Sequence, residues 1–488
     1  MAFQKGFYQK VLPIAAFWLV LATNALRSQT KIEWGDSLVV QQTAHFITAP
    51  RVNLLDDGTV VAVWGESSTP SKIWCSRLEN GQFSAPVSVV TAAPAPLLFG
   101  FGGFDVAVFG QKIFVVFERS GSGIFVSRSE DGGASFLPPV KVSAAVVGGY
   151  ATLASLAADE SGNLLVDYIQ EKSGTATHQI CRSTDGGQTF SAPVEASAHA
   201  NGTKVCECCI GAPLASQGSV WLAFRNNNAN IRDHWVSRST DLASTFDTAT
   251  DVDDSDWAIN ACPISSPRIA RSGDSLVIVW KTGAGGGSKV FASTLHGSTM
   301  TAGQQIRLGD ANHLSENQNQ PDIAAAGDTL GIVFQENDRL AFAFSTEGLA
   351  GLAENYGHFE EAGQELRVPA VAFRDGNFHL VYANAASGEV IYRRGEIVPT
   401  VGVSENEGQF SAVSVFPNPS TDGFFWLKSE ASDLVACSVF DVFGKCLGSK
   451  KLGGRMSKID MAGLPPGVYD LKIKTERGEV GRKLMLGF

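Results

Sequence analysis

The chain is built from seven repeats of roughly 50 residues, and this periodicity constrains its fold more than any other feature. Each repeat but the last holds four evident short apolar segments, which are separated by tight turns such as DG, SG or GD and by one longer loop. The repeats begin at Pro50, Phe104, Ala154, Pro213, Pro267, Pro321 and Pro369. Four short strands per repeat are typical of a β-propeller blade, so the sequence predicts an all-β propeller of six or seven blades. The last repeat lacks an evident fourth strand, which we expect residues 37–42 to supply.

The composition agrees with this fold and excludes other classes of protein. Hydrophobic residues make up 44% of the chain and charged residues only 18%. The apolar content excludes a disordered chain, and the small number of charges disfavours a helical bundle. The net charge is −11, and because both ends of the chain are basic, the body between them is more acidic still. Nucleic acid is therefore not an expected partner.

The amino terminus has the pattern of an export signal. Lys5 and Lys10 precede an apolar run at 11–22, and small residues follow it. This order predicts a signal peptide over residues 1–28. A membrane anchor is the alternative interpretation, but it needs roughly 20 apolar residues. We therefore expect an exported protein that meets an oxidising compartment.

Three repeats share the turn motif S-x-D-x-G-x-S/T-F, at 129–136, 183–190 and 239–246. We expect its Asp (Asp131, Asp185 and Asp241) to accept backbone N–H groups and its Gly to adopt a positive φ. In the third copy Ala243 replaces this Gly, which predicts a strained or altered turn. The motif resembles the Asp box, or BNR repeat, of sialidase-type propellers. The resemblance implies a sialidase-like β-propeller over residues 29–397 and a structural role for the three Asp residues.

The loops opposite these turns form the candidate functional face. In an antiparallel blade, the second-to-third-strand loops and the connections between blades lie on one face, away from the Asp turns. Polar side chains of mixed charge on that face suit an anionic or polyhydroxylated ligand, although single residues there are also explained as solvated loop residues. The ligand-binding candidates are Arg51, Arg119, Asn226, Arg232, Asp233, Lys281 and Gln320.

The sialidase resemblance also implies catalytic residues: arginines for the substrate carboxylate, a Tyr nucleophile paired with Glu, and an Asp acid/base. Glu207 and Arg225 resemble the family's Glu and second Arg, and they are the catalytic candidates. Thr48 stands at the first Arg position, Gln320 at the Tyr position, and the loop 66–71 contains no Asp. We therefore expect an exported propeller that recognises glycans or glycoproteins without standard sialidase chemistry. The alternative is an exo-sialidase or related glycoside hydrolase with altered catalytic residues.

An unusual group of cysteines precedes the fourth and fifth repeats. Cys206, Cys208 and Cys209 lie close in sequence, and Cys208 and Cys262 each stand five residues before the start of a repeat. Equivalent positions on neighbouring blades can be bridged, so we predict a disulfide between Cys262 and this group. Two alternatives remain, namely a thiolate metal site made by the four sulfurs and free thiols. A third functional hypothesis is accordingly a cysteine-rich scaffold with a redox or metal role.

An acidic run offers a second set of metal ligands. Its members are Asp251, Asp253, Asp254 and Asp256. The run lacks a recognised calcium-loop spacing, which favours a solvated loop. The sequence therefore assigns no metal and no cofactor.

The carboxy-terminal region differs from the repeats. Residues 398–410 are typical of a linker, and residues 411–488 alternate as in a small Ig-like β-sandwich. Four pieces of this region stand out, namely FPNPS (416–420), DVFGK (441–445), LPPGVY (464–469) and Lys483-Leu484. Together they closely resemble the type IX secretion C-terminal sorting domain of Bacteroidetes. The resemblance implies passage through the type IX secretion machinery and then removal of the domain or attachment to surface lipopolysaccharide. An ordinary accessory sandwich is the alternative, and the predicted location is outside the cell or on the outer-membrane surface of a Gram-negative bacterium.

Overall fold

The structure, a computed structural model, divides into two compact units. One unit is Lys31–Val398, and the other is Pro399–Phe488 with Met1–Thr30. The predicted signal peptide (1–28) and all but two residues of the predicted linker lie outside the described residues. Those described are 30–201, 204–309, 316–349, 351–352, 356–359, 364–399, 413–429, 433–441, 445–476 and 478–487.

Every regular element of the described residues is a β-strand, and none is a helix long and apolar enough to cross a lipid bilayer. In Lys31–Val398 the described strands form seven antiparallel sheets of four or five strands, which we number as blades 1–7 in chain order from Phe46. The predicted all-β propeller is confirmed.

The strands of blades 1–3 follow the repeat pattern. Blade 1 contains β3 (Phe46–Leu54), β4 (Val60–Ser67), β5 (Lys72–Glu79), β6 (Gln82–Phe83) and β7 (Val87–Ser88). Blade 2 contains β8 (Phe104–Phe109), β9 (Lys112–Arg119), β10 (Gly123–Ser129) and β11 (Val140–Lys141). Blade 3 contains β12 (Gly149–Ala158), β13 (Leu164–Lys172), β14 (Thr175–Ser183) and β15 (Val194–Glu195).

The next three blades repeat this order. Blade 4 contains β16 (Lys204–Val205), β17 (Ala212–Ser216), β18 (Ser219–Asn227), β19 (His234–Ser239) and β20 (Thr248–Asp251). Blade 5 contains β21 (Arg268–Ser272), β22 (Ser275–Thr282), β23 (Lys289–His296) and β24 (Ile306–Arg307). Blade 6 contains β25 (Gln318–Ala326), β26 (Thr329–Glu336), β27 (Arg339–Ser345) and β28 (Tyr356–Phe359).

Blade 7 closes the ring with strands from both ends of the repeat region. Its β29 (Leu366–Arg374), β30 (Asn377–Asn384) and β31 (Glu389–Pro399) are joined by β1 (Thr30–Trp34) and β2 (Leu38–Gln42), which both pair with β31. The register sets Leu38 opposite Tyr392 and Gln42 opposite Glu389. The amino end therefore supplies the missing outer strand, as the sequence predicts, and this pairing protects an otherwise free sheet edge.

Apolar side chains on both faces of the inner strands hold the ring together. The strand β9 (KIFVVFER) is buried at all but its first residue, which explains why so many segments are continuously apolar rather than alternating. The described core contains seven hydrophobic clusters of the propeller, and each one joins two neighbouring blades, blade 7 with blade 1 included. Burial between adjacent blades therefore stabilises the closed ring.

The three Asp turns have the contacts that the motif predicts. In blade 3, Asp185 Oδ1 accepts the Thr189 N–H at 3.0 Å and Asp185 Oδ2 accepts the Thr189 hydroxyl at 2.6 Å. Equivalent bonds link Asp131 to Ser135 and Asp241 to Thr245. Burial opposes ionisation of Asp131, but these donors outweigh it and lower the pKa of Asp131 to about 2.

The Ala243 turn keeps its shape without glycine. The φ of Ala243 is 55°, against 90° for Gly133 and 78° for Gly187 at the same position of the other turns. Its N–H still donates to Ser239 Oγ at 2.9 Å. Of the two predicted outcomes, the turn is therefore strained rather than altered, because a left-handed backbone is unfavourable for an L-residue with a Cβ.

The carboxy-terminal unit is a sandwich of two described sheets. One contains β32 (Val413–Phe416), β33 (Phe424–Ser429) and β36 (Met456–Asp460). The other contains β34 (Leu434–Phe440), β35 (Cys446–Lys451), β37 (Gly467–Thr475) and β38 (Gly478–Leu486). Asn418 joins two of the motif pieces, because its side chain donates to Lys483 O at 2.7 Å and accepts the Met485 N–H at 2.8 Å.

Candidate functional site

A cavity of about 450 Å³ opens on the propeller face opposite the Asp turns. Its walls come from blades 1, 5, 6 and 7 and from two loops that precede blades 2 and 5. The lining residues are His45, Phe46, Ile47, Gly100, Phe101, Pro263, Ile264, Lys281, Asn319, Gln320, Gln335, Arg367, Val368, Ala383, Ala385 and Gly388. We call this cavity the central pocket. Of the ligand-binding candidates predicted from the sequence, it contains Lys281 and Gln320.

The polar side chains of the central pocket are amides, the cations Lys281 and Arg367, and the imidazole of His45. Lys281 Nζ donates to Pro263 O at 3.0 Å, and burial, with the nearby charge of Arg225, lowers the pKa of Lys281 to about 8. Gln320 has a φ of 49°, and its buried Oε1 accepts no hydrogen bond. Arg367 forms an ion pair with Glu365 outside the lining. The described lining contains neither a carboxylate nor a tyrosine.

A ring of charge lies under the pocket, at the start of the innermost strands. Arg51 Nε lies 3.0 Å from Asp105 Oδ1. Arg268 lies between two carboxylates, because its Nη1 is 3.8 Å from Asp105 Oδ2 and its Nε is 3.5 Å from Asp322 Oδ1. Each of these residues follows the first residue of its repeat by one position. Arg51 is thus an ion-paired residue near the propeller axis. It also lines a smaller cavity, which shares Phe101, Ile264, Gln320 and Val368 with the central pocket.

The two catalytic candidates lie in blade 4, outside the described lining of the central pocket. Arg225 is fully buried. Its guanidinium donates to Arg232 O at 2.7 Å and to Lys281 O at 2.5 Å, and it stacks over Trp257 at 5.3 Å. Glu207 is exposed and faces Arg232 Nη1 at 3.4 Å. The structure therefore does not bring Glu207 and Arg225 into direct contact, and it gives Arg225 backbone carbonyls as partners.

The remaining blade 4 candidates are buried in local hydrogen bonds. Asn226 Nδ2 donates to Asn201 O, and the backbone N–H of Asn226 donates to Asp233 O at 2.8 Å. Asp233 Oδ1 accepts the Trp257 N–H at 3.0 Å. Burial raises the pKa of Asp233 to about 6, because water is excluded and other carboxylates are near. In blade 2, Arg119 donates to Ala92 O at 2.6 Å and stacks over two Phe rings. None of these three side chains lines the central pocket.

The cysteine group contains the predicted disulfide. Cys208 and Cys262 are bonded, with their Cα atoms 6.2 Å apart. Cys206 and Cys209 carry free thiols whose sulfurs are 3.2 Å apart, and Cys206 Sγ is 3.6 Å from Cys208 Sγ. The disulfide fastens the segment before the pocket residues Pro263 and Ile264 to the start of blade 4.

A second polar cluster, which sequence reasoning missed, lies in blade 6. The buried Glu336 accepts hydrogen bonds from Gln318 at 3.0 Å, Tyr356 at 2.9 Å, Arg339 at 2.9 Å and His358 at 2.6 Å. Burial opposes its ionisation, but hydrogen bonds, among them those from Gln318, His358 and Tyr356, lower the pKa of Glu336 to about 2. Four donors fill the acceptor sites of one carboxylate. The arrangement therefore satisfies a buried charge within the protein.

Sequence reasoning also missed Gln335, Arg367 and Phe101 as pocket residues. Gln335 and Arg367 stand at the ends of ordinary blade strands, and no motif marks them. The sequence does contain one signal for these residues, which is their position relative to the start of the repeat. Residues at the same offset in different repeats converge on the axis, as the ring of Arg51, Asp105, Arg268 and Asp322 illustrates.

Comparison with solved structures finds similar chains of low identity. A protein of unknown function from Dyadobacter fermentans DSM 18053 is 13% identical, with 75% of this chain and 99% of that chain covered and a TM-score of 0.43. An α-L-arabinanase from Penicillium chrysogenum complexed with arabinobiose is 11% identical, with coverages of 75% and 98% and a TM-score of 0.42. A sialidase from Trypanosoma rangeli is 10% identical, with coverages of 93% and 89% and a TM-score of 0.42. At these values the similarities carry no argument about activity.

Comparison of sequences identifies the carboxy-terminal domain. No curated protein matches this chain. Residues 414–487 match the family model of the secretion system C-terminal sorting domain. The resemblance of this region to a type IX sorting domain is confirmed, and the predicted location with it. The chain is therefore a secreted or surface-located protein with a β-propeller body and a secretion system C-terminal sorting domain, which is typical of Bacteroidetes.

Proposed function

We propose that the propeller binds glycans or glycoproteins through the central pocket and does not hydrolyse them by sialidase chemistry. The observation that carries this proposal is the described lining of the pocket, which combines amides, cations and aromatic rings with no carboxylate and no tyrosine. We infer an anionic sugar as the ligand class, because the charged groups of the lining are Lys281 and Arg367.

The binding part of the proposal rests on the chemistry of the lining. The side chains of Asn319, Gln320 and Gln335 offer both donors and acceptors to hydroxyl groups. The ring of Phe46 is 49% exposed, so an apolar surface is available to the face of a sugar. A concave site with few polar groups among apolar walls is typical of small-ligand binding. The volume of about 450 Å³ suits one or two sugar rings.

The non-catalytic part rests on missing groups at the pocket. Glycoside hydrolysis needs two carboxylates or, in sialidases, a Tyr nucleophile with acidic partners. A Tyr–Glu pair does exist at Tyr356 and Glu336, but neither residue lines the pocket. Burial and the charge of Glu336 raise the pKa of Tyr356, which disfavours a phenolate nucleophile. Arg225, which the sialidase resemblance assigns to a substrate carboxylate, has its donors directed at backbone carbonyls.

The test combines a binding measurement with a turnover measurement on the mature full-length protein. Isothermal titration with N-acetylneuraminic acid, glucuronic acid and neutral hexoses should detect an anionic sugar and weaker or no binding of neutral ones. A fluorogenic sialoside should show no turnover above the buffer rate. Turnover that Glu207→Ala or Arg225→Ala abolishes would instead support the alternative, a hydrolase with altered catalytic residues.

The matched variants remove one cation each. Arg367→Ala should weaken binding of the anionic sugar by about tenfold, because a charge-assisted hydrogen bond is lost. Lys141→Ala removes the same charge from an exposed outer strand of blade 2 and should leave binding unchanged. Equal losses in both variants would mean that the effect comes from the net charge and not from the pocket.

We also propose domain boundaries that the sorting domain and the repeats support. The propeller is assigned to residues 29–397, the linker to 398–410 and the sorting domain to 411–488. Limited proteolysis of the secreted precursor should cut within 398–410 and release two protease-resistant fragments. A protein found on the cell surface without residues 411–488 would indicate removal of the domain, whereas an intact chain would favour attachment through it.

A further inference from the structure

Four sulfur atoms at the start of blades 4 and 5 form one connected group. The Cys208–Cys262 disulfide is its outer part, since Cys262 is exposed and Cys208 is half-buried. Beneath it lie the buried thiols of Cys206 and Cys209. Cys206 Sγ lies 3.6 Å from Cys208 Sγ and 3.2 Å from Cys209 Sγ. A thiol is therefore in contact with a disulfide sulfur, and a second thiol is in contact with the first.

The charges around these sulfurs favour a thiolate. Arg232 Nη1 donates to Cys206 Sγ at 3.0 Å. The thiol of Cys206 donates to Cys209 Sγ. Burial opposes ionisation of Cys209, but this hydrogen bond and the charge of Arg225 outweigh it and lower the pKa of Cys209. The same hydrogen bond, together with burial, raises the pKa of Cys206, so the resting thiolate of the pair is Cys209 and Cys206 keeps the proton. A nearby guanidinium is a common means of activating cysteine.

Two other cysteines of the propeller provide the contrast. Cys75 and Cys181 are buried in apolar clusters between blades. Burial raises the pKa of Cys75 to about 12 and that of Cys181 to about 11. Burial therefore dominates at these two cysteines and keeps them protonated, and Cys209 differs because Cys206 donates a hydrogen bond to it and Arg225 and Arg232 are close.

We propose that Cys206, Cys208, Cys209 and Cys262 form a thiol–disulfide exchange site. The Cys209 thiolate takes the proton of the Cys206 thiol along their hydrogen bond as Cys206 Sγ, which Arg232 contacts, attacks Cys208 Sγ. The Cys206–Cys208 bond forms while the Cys208–Cys262 bond breaks, and Cys262 leaves as a thiolate. One disulfide, one thiol and one thiolate are present before and after the step, so no external oxidant or reductant is needed.

The exchange has a structural consequence at the central pocket. Cys262 is followed directly by Pro263 and Ile264, which line the pocket. Release of Cys262 frees this part of the wall from blade 4, whereas the intact disulfide holds it. The exchange goes beyond the proposed binding function, and its chemistry does not depend on any glycan ligand.

The test is alkylation of the native full-length protein, with the labelled cysteines identified by peptide mass spectrometry. Iodoacetamide should trap Cys262 as it is released and leave a disulfide-linked peptide that holds Cys206. Labelling of Cys262 should be at least about tenfold slower in Cys206→Ser, because the attacking sulfur is gone. Cys446→Ser removes an exposed thiol of the sorting domain and should leave Cys262 labelling unchanged. Hydrogen exchange at 259–264 should rise with Cys262 labelling.

A second variant keeps the result interpretable if Cys206→Ser does not fold. Cys209→Ser keeps the attacking sulfur and removes its proton acceptor, so it should slow Cys262 labelling without abolishing it. Three outcomes would overturn the proposal. They are an unlabelled Cys262 in the wild-type protein, a purified protein that contains a Cys206–Cys209 disulfide as well as Cys208–Cys262, and stoichiometric bound zinc whose removal is required before any thiol reacts.

Discussion

The two faces of the propeller are built in different ways. On one face, three repeats place the same Asp turn at the same position, and each turn satisfies its own donors within a few residues. On the other face, the central pocket takes side chains from four blades and two loops, and equivalent positions of the repeats carry different residue types there, as Lys281 and Gln335 do. The difference teaches that repetition maintains the fold while the irregular loops can acquire a function.

The largest effect that tests this comparison is expected at an Asp turn. Asp185 accepts four hydrogen bonds, from Ser183, Gln188 and both donors of Thr189. Asp185→Ala should lower the free energy of unfolding by about 3 kcal/mol, because several donors lose their acceptor. Chemical denaturation followed by tryptophan fluorescence measures it.

The matched control for Asp185 is on the same face. Asp328→Ala changes an exposed Asp in the first turn of blade 6 and should alter the free energy of unfolding by less than about 0.5 kcal/mol. If both variants lose equal stability, the Asp turns contribute no more to the free energy of unfolding than an ordinary exposed turn does. Glycan binding by folded Asp185→Ala should match that of the wild type, since the pocket is on the opposite face.

The second test concerns a buried charge of the pocket face. The folded-state pKa of Asp233 is about 6, above its ordinary 3.8. The folded state therefore holds this proton more tightly than the unfolded state. The protein has its full stability below about pH 4 and loses part of its free energy of unfolding as the pH rises through 6. Asp233→Asn should be more stable than the wild type by about 2 kcal/mol at pH 8, and the advantage should vanish near pH 4.

Paired denaturation curves of wild type and Asp233→Asn at pH 4, 6 and 8 measure this difference. Asp247→Asn is the control, because Asp247 is an exposed carboxylate paired with Arg238 on the same blade. An advantage of Asp233→Asn that stays constant from pH 4 to pH 8 would mean that Asp233 does not titrate in this range.

The part of the fold that could be predicted from the sequence is the part that local spacing determines. The Asp turns depend on residues within eight positions, and the Cys208–Cys262 disulfide joins positions that are equivalent in adjacent repeats. Closure by residues 37–42 could be predicted because blade 7 lacks an outer strand and an open sheet edge is unfavourable. Each of these inferences uses the repeat and no long-range geometry.

The site could be predicted only in outline. Lys281 and Gln320 line the central pocket, but Arg119, Asn226 and Asp233, which are polar residues predicted on the same face, are directed into local hydrogen bonds. Arg225 shows the reason most clearly. Its guanidinium joins the carbonyls of Arg232 and Lys281, and a contact between neighbouring blades depends on how they pack. Spacing within one repeat does not contain that information.

The third test uses the charge of Lys281 to examine the pocket directly. Because its pKa is about 8, Lys281 is charged at pH 6 and mostly neutral at pH 9.5. Affinity for an anionic sugar should therefore fall by about tenfold between these values, since an ion pair is lost. Lys281→Arg should abolish this pH dependence, because a guanidinium stays protonated. Isothermal titration at both pH values measures the effect, and an equal fall in Lys281→Arg would assign the titration to another group.

The smallest effect is expected where one Asp turn departs from the others. Ala243→Gly relieves a left-handed alanine, worth about 1 kcal/mol, but it removes a buried methyl group worth about 0.8 kcal/mol and adds freedom to the unfolded chain. The change in unfolding free energy should therefore stay within about 0.5 kcal/mol of zero. Gly187→Ala should cost about 1–2 kcal/mol, because its φ is 78° and a new Cβ would lie 3.1 Å from Leu164 Cδ1. Chemical denaturation of both variants measures the two changes in unfolding free energy. If Ala243→Gly stabilises the protein by as much as Gly187→Ala destabilises it, the buried methyl group of Ala243 contributes nothing to stability.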